Sequence, residues 1–356
     1  MKEAVKQLKA YVPEEPVSDI AARLGLSKVT RLSANENPYG HSPKVTAAVQ
    51  AAAATVGSAY PDGNATELRN AVAAKYGVAP QQLVIGCGLD EIIMLLTRVF
   101  VSAGNNIVTA APTFSEYALN AGVGGATVRA VPVNAVGGND LAAMADEVDE
   151  ATALAWICNP NNPTGGANTL TDIEAFVQKV PTSTLVIVDE AYIEFADAPI
   201  ETALPLLEKY PNVIVLRTFS KAYGLANYRV GFAITDAKLA NYLETVRLPY
   251  NLNGISQAAA LAALEDLDFI RETVAANKAE RASFEALLTE LGIFYYPSAT
   301  NFIFLKVPNA NALADDLMHA GYLVRRGLAP DCLRLTVGQA EDNKIIKDII
   351  TRFAKV

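Results

Sequence analysis

Three apolar runs, each followed at once by polar residues, constrain the fold of this chain more than any other feature. The runs are residues 154–157, 185–188 and 213–216. Continuous apolar runs of this kind are typical of strands buried on both faces, as in a parallel sheet. Asn162, Asp189 and Lys221 follow them, 27 and 32 residues apart, and a strand, a crossover helix and the next parallel strand take about 30 residues. The sequence therefore predicts an α/β fold with a mostly parallel sheet, helices on both faces, and these three side chains at one ligand-binding edge.

Lys221 lies just beyond the third run, close to Thr218 and Ser220, with Arg229 eight residues further on. A lysine that is partly desolvated near another cation can lose its proton below the ordinary pKa of about 10.4 and attack a carbonyl group. The hydroxyl groups and the arginine could hold a phosphate. An isolated Ser-Lys pair would be interpreted as a surface lysine, but the neighbouring segments supply parts that match a Schiff-base lysine.

Asp189 ends the second run, so its carboxylate is expected beside Lys221. A carboxylate in that position can accept a hydrogen bond from a protonated pyridine nitrogen, which keeps a pyridoxal ring acting as an electron sink. Tyr192, three residues further on, could reach the phenolic oxygen of such a ring. An exposed acidic cap would explain Asp189 alone, but it would not explain its pairing with Lys221.

A glycine turn at Gly86 and Gly88 leads from another short strand into a helix with an apolar face. Free backbone N–H groups and the positive end of the helix dipole make such a turn an anion site. Glu91 stands where a dinucleotide-binding fingerprint needs its third glycine. The turn therefore favours phosphate over dinucleotide binding, which argues against a nicotinamide-dependent dehydrogenase.

These segments, together with residues 32–40, 60–63 and 333–338, resemble the histidinol-phosphate aminotransferases, pyridoxal-phosphate enzymes with the aspartate aminotransferase fold. The resemblance runs in order over nearly the whole chain and is more specific for the cofactor than for the substrate. It implies pyridoxal 5'-phosphate, a small-molecule amino donor and a 2-oxo acid, and transamination between histidinol phosphate and 2-oxoglutarate. Aromatic amino acids remain a rival donor class, a phospho-amino-acid decarboxylase remains a rival on the same scaffold, and the lysine makes a binding protein without chemistry the weakest alternative.

The resemblance also implies roles for single residues around the cofactor. Lys221 would carry the cofactor and move the proton, Asp189 would bind the pyridine nitrogen, and Asn162 and Tyr192 would bind the phenolic oxygen. The residues implied at the phosphate are Thr218, Ser220 and Arg229 with the backbone of Gly88, Leu89 and Asp90, and Phe114 is implied as the stacking ring. Tyr60 is implied to reach the cofactor phosphate of the neighbouring subunit, in a homodimer with shared active sites.

At the substrate, the resemblance implies Arg334 as the clamp for the anionic group, since a guanidinium stays charged and binds carboxylate or phosphate bidentately. Arg325, Tyr11 and Asn37 are implied as further substrate contacts. Strand alternation lets only one of Arg325 and Arg326 face the site, and the sequence leaves open which one does.

The composition argues against several other classes of function. A formal net charge of −9 disfavours nucleic acids and anionic membranes as partners, because both need a basic surface. A signal peptide and a membrane-spanning run are not recognisable, which predicts a cytoplasmic protein. Cys87, Cys158 and Cys332 are expected to be reduced core thiols, and His41 and His319 form no cluster with the spacing of metal ligands.

The length of 356 residues exceeds what one typical core accommodates and predicts two lobes. Residues 1–30 are expected to form an arm, 31–250 a large cofactor-binding domain, and 251–356 a smaller α+β domain that packs with the arm. Residues 256–291 are predicted to form one long helical stretch and residues 301–306 a strand. The terminal helix is predicted to pack on a core through an apolar face formed by Ile345, Ile346, Ile349, Ile350 and Phe353.

Overall fold

The computed structural model describes residues 5–6 and 14–355. Its strands, in chain order, are β1 (Thr30–Leu32), β2 (Leu83–Cys87), β3 (Asn106–Ala111), β4 (Thr127–Pro132), β5 (Thr152–Cys158), β6 (Leu185–Asp189), β7 (Val213–Thr218), β8 (Val230–Thr235), β9 (Phe294–Tyr295), β10 (Phe302–Lys306), β11 (Tyr322–Arg326) and β12 (Cys332–Thr336).

The helices alternate with the strands through most of the chain. They are α1 (Val17–Leu24), α2 (Pro43–Ala53), α3 (Thr66–Tyr76), α4 (Gly88–Phe100), α5 (Ser115–Gly124), α6 (Leu141–Asp146), α7 (Leu170–Lys179), α8 (Ala237–Val246), α9 (Gly254–Leu264), α10 (Leu267–Glu290), α11 (Ala310–His319) and α12 (Ala340–Phe353). In the part of the chain that the structure describes, none of these helices is long and apolar enough to cross a membrane.

The larger sheet has the strand order β2-β8-β7-β6-β5-β3-β4, and β8 alone runs against the others. Its apolar strands are buried on both faces. Trp156, Ile187 and Ile214 pack in the core on the side of α4 and α5, whereas Ile157 and Val188 pack in the core with α6 and α7. The predicted α/β class, with a mostly parallel sheet and helices on both faces, is confirmed.

The carboxyl ends of the central strands meet at one edge of this sheet. In the ladders, Cys158 lies opposite Asp189, and Asp189 lies opposite Leu216. The start of the antiparallel strand β8 reaches the same edge, because Thr218 lies opposite Gly231. The polar segments that follow β5, β6 and β7 are thus brought together, as the strand spacing predicts.

The smaller sheet has the order β1-β11-β12-β10-β9, with β1 parallel to β11 and the other pairs antiparallel. One face carries an apolar core, formed with α11, α12 and the second half of α10 and including Leu32, Val324 and Leu335. The opposite face carries Arg31, Arg325 and Arg334, as the alternation of side chains along the paired strands requires. The division into an arm and two domains at residues 30 and 250 stays a prediction.

The long helix predicted over residues 256–291 is wrong in one respect, because the structure breaks it between α9 and α10. Asp266 lies at the break with a non-helical backbone, and its side chain accepts a hydrogen bond from the N–H of Phe269. Such a side-chain cap starts a new helix. The break lets Ala260 of α9 pack in the core beside β2 and β8, while Phe284 of α10 packs under the smaller sheet.

Candidate active site

A cavity of about 520 Å³ lies where the carboxyl ends of the larger sheet meet the arginine face of the smaller one. It has both polar and apolar walls and the size of a small-molecule site. Residues predicted from the sequence for the cofactor and substrate line it: Leu89, Asp90, Phe114, Asn162, Asp189, Tyr192, Thr218, Ser220, Lys221, Arg229 and Arg334.

Lys221 follows β7 and reaches into this cavity. Its Nζ donates a hydrogen bond to the carbonyl oxygen of Ala34 at 3.0 Å and lies 5.7 Å from the centre of the Tyr192 ring. Burial, and then the charge of Arg334, lower the pKa of Lys221 to about 8. A substantial fraction of the amine is therefore neutral near physiological pH, which both a nucleophile and a general base require.

Asp189 ends β6 and is buried at the floor of the cavity. Its Oδ2 accepts a hydrogen bond from the Tyr117 hydroxyl at 2.5 Å, and its Oδ1 accepts one from the N–H of Ala191 at 3.1 Å. No ion pair within residues 14–355 reaches this carboxylate. Burial raises the pKa of Asp189 to about 6, although the Tyr117 hydrogen bond opposes that rise. A ligand with a positive charge would supply the missing counter-ion.

Asn162 and Tyr192 lie on the side of the cavity nearest the smaller sheet. Nη1 of Arg334 donates to Oδ1 of Asn162 at 2.5 Å, and Nη2 of Arg334 donates to the carbonyl oxygen of Ser33. The hydroxyl of Tyr192 accepts a hydrogen bond from Asn35 at 2.9 Å. Burial raises the pKa of Tyr192 to about 12, with Arg334 opposing the rise, so this tyrosine stays a neutral donor.

Arg334 is a buried guanidinium with neutral oxygen atoms as its hydrogen-bond partners. Its Nε is buried and has no acceptor in the described part of the chain. Leaving a buried charged donor unpaired is costly. An anionic ligand would satisfy this arginine, just as a cation would satisfy Asp189.

The opposite end of the cavity is built for a phosphate. Gly88 starts the 13-residue helix α4 with φ 76°, and a Cβ there would come within 2.5 Å of the guanidinium of Arg229. Arg229 itself pairs with Asp90 at 3.1 Å. The hydroxyls of Thr218 and Ser220 line the same end. A close backbone approach, a helix N-terminus, an arginine and two hydroxyls together form an anion site.

These residues fit pyridoxal 5'-phosphate. The buried carboxylate without a cation matches a protonated ring nitrogen, the glycine turn with its arginine matches the phosphate, and the amine of Lys221 matches the carbonyl. Phe114 lines the cavity where it can lie against a ring. The described residues contain no group of three His, Cys, Asp or Glu side chains able to hold a metal ion.

Several predicted residues lie outside the cavity wall. Asn37 donates to the carbonyl oxygen of Ala222, next to Lys221. Arg325 lies opposite Arg334 in the ladder and therefore on the same face, whereas Arg326 turns away and pairs with Asp315. Tyr60 is 81% exposed and does not line the cavity of its own chain. Tyr11 lies outside the described residues.

The sequence reading missed four residues of the site. Tyr117 holds Asp189, Asn35 holds Tyr192, and Arg31 and Glu36 line the cavity as an ion pair. Asn35 and Glu36 belong to the segment 32–40 that carries the resemblance, so a signal existed for them. Tyr117 and Arg31 are brought in by tertiary contacts, for which the local sequence offers no signal. The expectation of core thiols holds for Cys158 and Cys332 but is wrong for Cys87, which is exposed.

Comparison with known proteins extends over the full chain. Residues 27–350 match the family model "Aminotransferase class I and II". The histidinol-phosphate aminotransferase of Limosilactobacillus fermentum is 51% identical over 358 residues, covering 100% of this chain and 99% of that protein. The structure of the histidinol-phosphate aminotransferase of Sinorhizobium meliloti in complex with pyridoxal-5'-phosphate gives a TM-score of 0.91 at 28% identity, covering 100% and 97%. An aspartate aminotransferase double mutant of Thermus thermophilus, 21% identical, has a similar fold, with a TM-score of 0.83 and coverage of 100% and 99%.

Proposed function

The chain belongs to the class I and II aminotransferases, and from that membership we propose that it passes the amino group of histidinol phosphate to 2-oxoglutarate. The products are imidazole-acetol phosphate and glutamate, in histidine biosynthesis. The observation that carries this proposal is the 51% identity, over the full length of both chains, to an enzyme named for that substrate. The predicted family, aspartate aminotransferase-like fold and cofactor, pyridoxal 5'-phosphate, are confirmed.

When bound, the cofactor supplies a reactive carbonyl carbon and a ring that withdraws electrons from it. Asp189 would accept a hydrogen bond from the protonated ring nitrogen and keep the proton there. Asn162 and Tyr192 would donate to the phenolic oxygen. The phosphate would be held by Thr218, Ser220, Arg229 and the N–H groups of Gly88, Leu89 and Asp90, with Phe114 against the ring.

Lys221 would act twice. Its amine, of which a pKa near 8 leaves a neutral fraction, would hold the carbonyl carbon of the cofactor. With the donor in that place, the same Nζ would accept the proton from the α-carbon of the donor. The charge of Arg334 helps to keep the amine of Lys221 neutral between turnovers.

Arg334 and Arg325 would bind the anionic end of the donor. They face each other across β12 and β11, and Arg334 has an Nε without an acceptor. Arg325 now contacts Glu14 at 3.3 Å, so a phosphate would replace or join that carboxylate. Two guanidinium groups suit a dianion better than one.

Single-turnover kinetics with each amino donor test the reaction. The holoenzyme is mixed with histidinol phosphate, glutamate, phenylalanine or tyrosine, and the loss of the cofactor's visible absorbance gives kcat/KM for each, with Lys221→Ala as the blank. We expect histidinol phosphate and glutamate to react fastest. If phenylalanine or tyrosine reacts faster than histidinol phosphate, the protein is an aromatic aminotransferase; release of carbon dioxide from a phospho-amino acid would identify a decarboxylase.

We also infer a homodimer with shared sites, acting in the cytoplasm. The exposed Tyr60 stacks on Tyr250 with ring centres 4.5 Å apart, an arrangement suited to reaching a neighbouring subunit. The free cysteines of the described chain fit a reducing compartment. Mixing Lys221→Ala subunits with Tyr60→Ala subunits should restore activity in heterodimers that contain one intact site. Failure to recover activity while subunits exchange would show that Tyr60 does not serve the partner's site.

A further inference from the structure

Three arginines form a row on the cavity-facing side of the smaller sheet. Arg31 lies opposite Leu323 in the β1–β11 pair, and Arg325 lies opposite Arg334 in the β11–β12 pair. Leu323 and Arg325 are two residues apart on β11, so all four side chains share one face. Neighbouring strands are separated by about 4.8 Å, so Arg31 and Arg334 lie about 10 Å apart across the sheet, and the two-residue offset on β11 adds about 7 Å along the strands. Arg31 and Arg334 both line the cavity.

The three guanidinium groups differ in their counter-ions. Arg31 donates two hydrogen bonds to the carboxylate of Glu36, one of them at 2.8 Å. Arg325 contacts Glu14, whose other oxygen accepts a hydrogen bond from Ser33 at 2.7 Å. Arg334 contacts neutral oxygen atoms. Among the described residues, these three arginines and their two carboxylates sum to one positive charge.

One excess charge neutralises a carboxylate but only half of a phosphate dianion. A monocarboxylate donor such as phenylalanine can be satisfied by Arg334 alone. A phosphate has a further charge and further acceptor oxygens. Arg31 can form a hydrogen bond to it with little loss of free energy from its pair with Glu36. The side chains of Arg31 and Glu36 are 45% and 32% exposed, and exposed ion pairs of this kind contribute little free energy.

Resting on the proposed function, the geometry points to Arg31 as a specificity-determining residue that, with Arg334 and Arg325, binds the phosphate group of a phosphorylated amino donor. Arg31 contributes much less to donors whose anionic group is a carboxylate. Glu36 holds Arg31 in place while no phosphate is bound. The ratio of kcat/KM for a phosphorylated donor to kcat/KM for a carboxylate donor is therefore set partly by a residue of the short strand β1.

The test compares Arg31→Gln with Arg326→Gln in the holoenzyme. Arg326 is a matched control because it lies in the same sheet, pairs with Asp315 at 2.8 Å, and faces away from the cavity. Single-turnover kcat/KM is measured with histidinol phosphate and with phenylalanine, and inorganic phosphate is measured as a competitor of phenylalanine. Arg31→Lys tests whether restored charge restores the ratio.

In Arg31→Gln, we expect kcat/KM with histidinol phosphate and the affinity for inorganic phosphate to fall about ten- to a hundredfold, as for a lost charged hydrogen bond. The phenylalanine reaction should stay within about twofold. Arg31→Lys should recover part of the ratio of the two kcat/KM values, and Arg326→Gln should leave that ratio unchanged. Equal losses with both donors, or no loss with either, would overturn the assignment. If the wild type ignores histidinol phosphate, the proposed reaction fails, and unchanged phosphate competition in Arg31→Gln would then overturn the role of Arg31 separately.

Discussion

Asp189 and Glu190 are consecutive buried carboxylates whose surroundings differ completely. Asp189 faces the cavity and accepts hydrogen bonds from Tyr117 and the backbone, with no cation in an ion pair with it among residues 14–355. Glu190 points to the other side of the strand and meets Arg217 at 2.9 Å, with Thr202 and the N–H of Ala203 as further donors. Burial raises the pKa of both carboxyl groups, and for Glu190 the arginine opposes that rise.

Glu190 is thus a carboxylate that has its cation within the fold, whereas Asp189 has none among the described residues and could pair with a cationic ligand. Although burial alone would lower the pKa of Arg217, the charges of Glu194 and Glu190 outweigh it and raise that pKa, so the charge of Glu190 is balanced by a cation. Asp189 has no such cation among residues 14–355. Arg334 contacts neutral oxygen atoms where Arg217 contacts two carboxylates, although the Nε of each arginine is buried without an acceptor in the described part of the chain. Groups of this kind are a cost to the free protein and a source of binding energy for the cofactor and the substrate.

The largest expected effect is the loss of kcat that follows when Asp189 loses its charge. Asp189→Asn keeps the shape of the side chain but cannot hold the ring nitrogen protonated. We expect kcat to fall by roughly two to four powers of ten, as for other groups that stabilise developing charge, while circular dichroism stays unchanged. Steady-state kinetics measure the effect, and a rate near that of the wild type would show that Asp189 has no such role.

Arg217→Met tests the other side of the strand. It leaves Glu190 buried with no arginine, and breaking a buried pair in this way destabilises a protein by about 3–5 kcal/mol. Denaturant unfolding measures the loss. Lys209→Met, which breaks the exposed pair with Glu174, is the control and should cost no more than about 1 kcal/mol. A large loss of rate with unchanged stability would contradict the division between the two sides.

In the apoprotein, the dependence of stability on pH reports the charge state of Asp189. The pKa of Asp189 is higher in the folded state, about 6 against 3.8, so the folded state binds more protons and stability falls as pH rises from about 4 to about 6. Asp189→Asn removes that fall. The variant should therefore be more stable than the wild-type apoprotein at pH 7 by about 3 kcal/mol, and the gap should close toward pH 4. Denaturant unfolding from pH 4 to 7.5 measures this, and a gap independent of pH would refute it.

The sequence predicts those parts of the site that local patterns and regular spacing determine. It does not predict contacts between segments that are far apart in the chain. Asp189 and Lys221 could be predicted because apolar runs and regular spacing fix where parallel strands end. Tyr117 could not, because it lies on α5 and its bond to Asp189 spans 72 residues. The direction of Arg325 needed the register of β11 with β12, and alternation alone gave two equal choices.

The fold shows the same limit. The apolar pattern of residues 256–291 is helical on both sides of the break between α9 and α10. The break is needed because α9 packs in the core beside β2 and β8, whereas α10 packs under the smaller sheet. Asp266 is a cap residue visible in the sequence, but an aspartate within a charged helical stretch carries no unique signal. Pairing of the three-residue strand β1 with β11 joins segments almost 300 residues apart, which no local pattern specifies.

Tyr117→Phe gives the smallest effect and the finest test of the comparison. The phenyl ring keeps its stacking on Trp156, whose ring centre lies 4.3 Å away, and only the hydroxyl that donates to Asp189 is lost. That hydrogen bond favours the ionised carboxylate, so its removal raises the pKa of Asp189 further. In the apoprotein, the fall of stability with pH should then continue above pH 6. In the holoenzyme, kcat should drop about tenfold, at the lower end for a hydrogen bond to a charged group, and less than in Asp189→Asn because the carboxylate is still present.

Tyr210→Phe, which removes a hydroxyl bonded to Glu174, should leave both kcat and the pH profile unchanged. A Tyr117→Phe enzyme with lower kcat but the wild-type pH profile would mean that Tyr117 acts through packing, and that Asp189 does not depend on it for its charge.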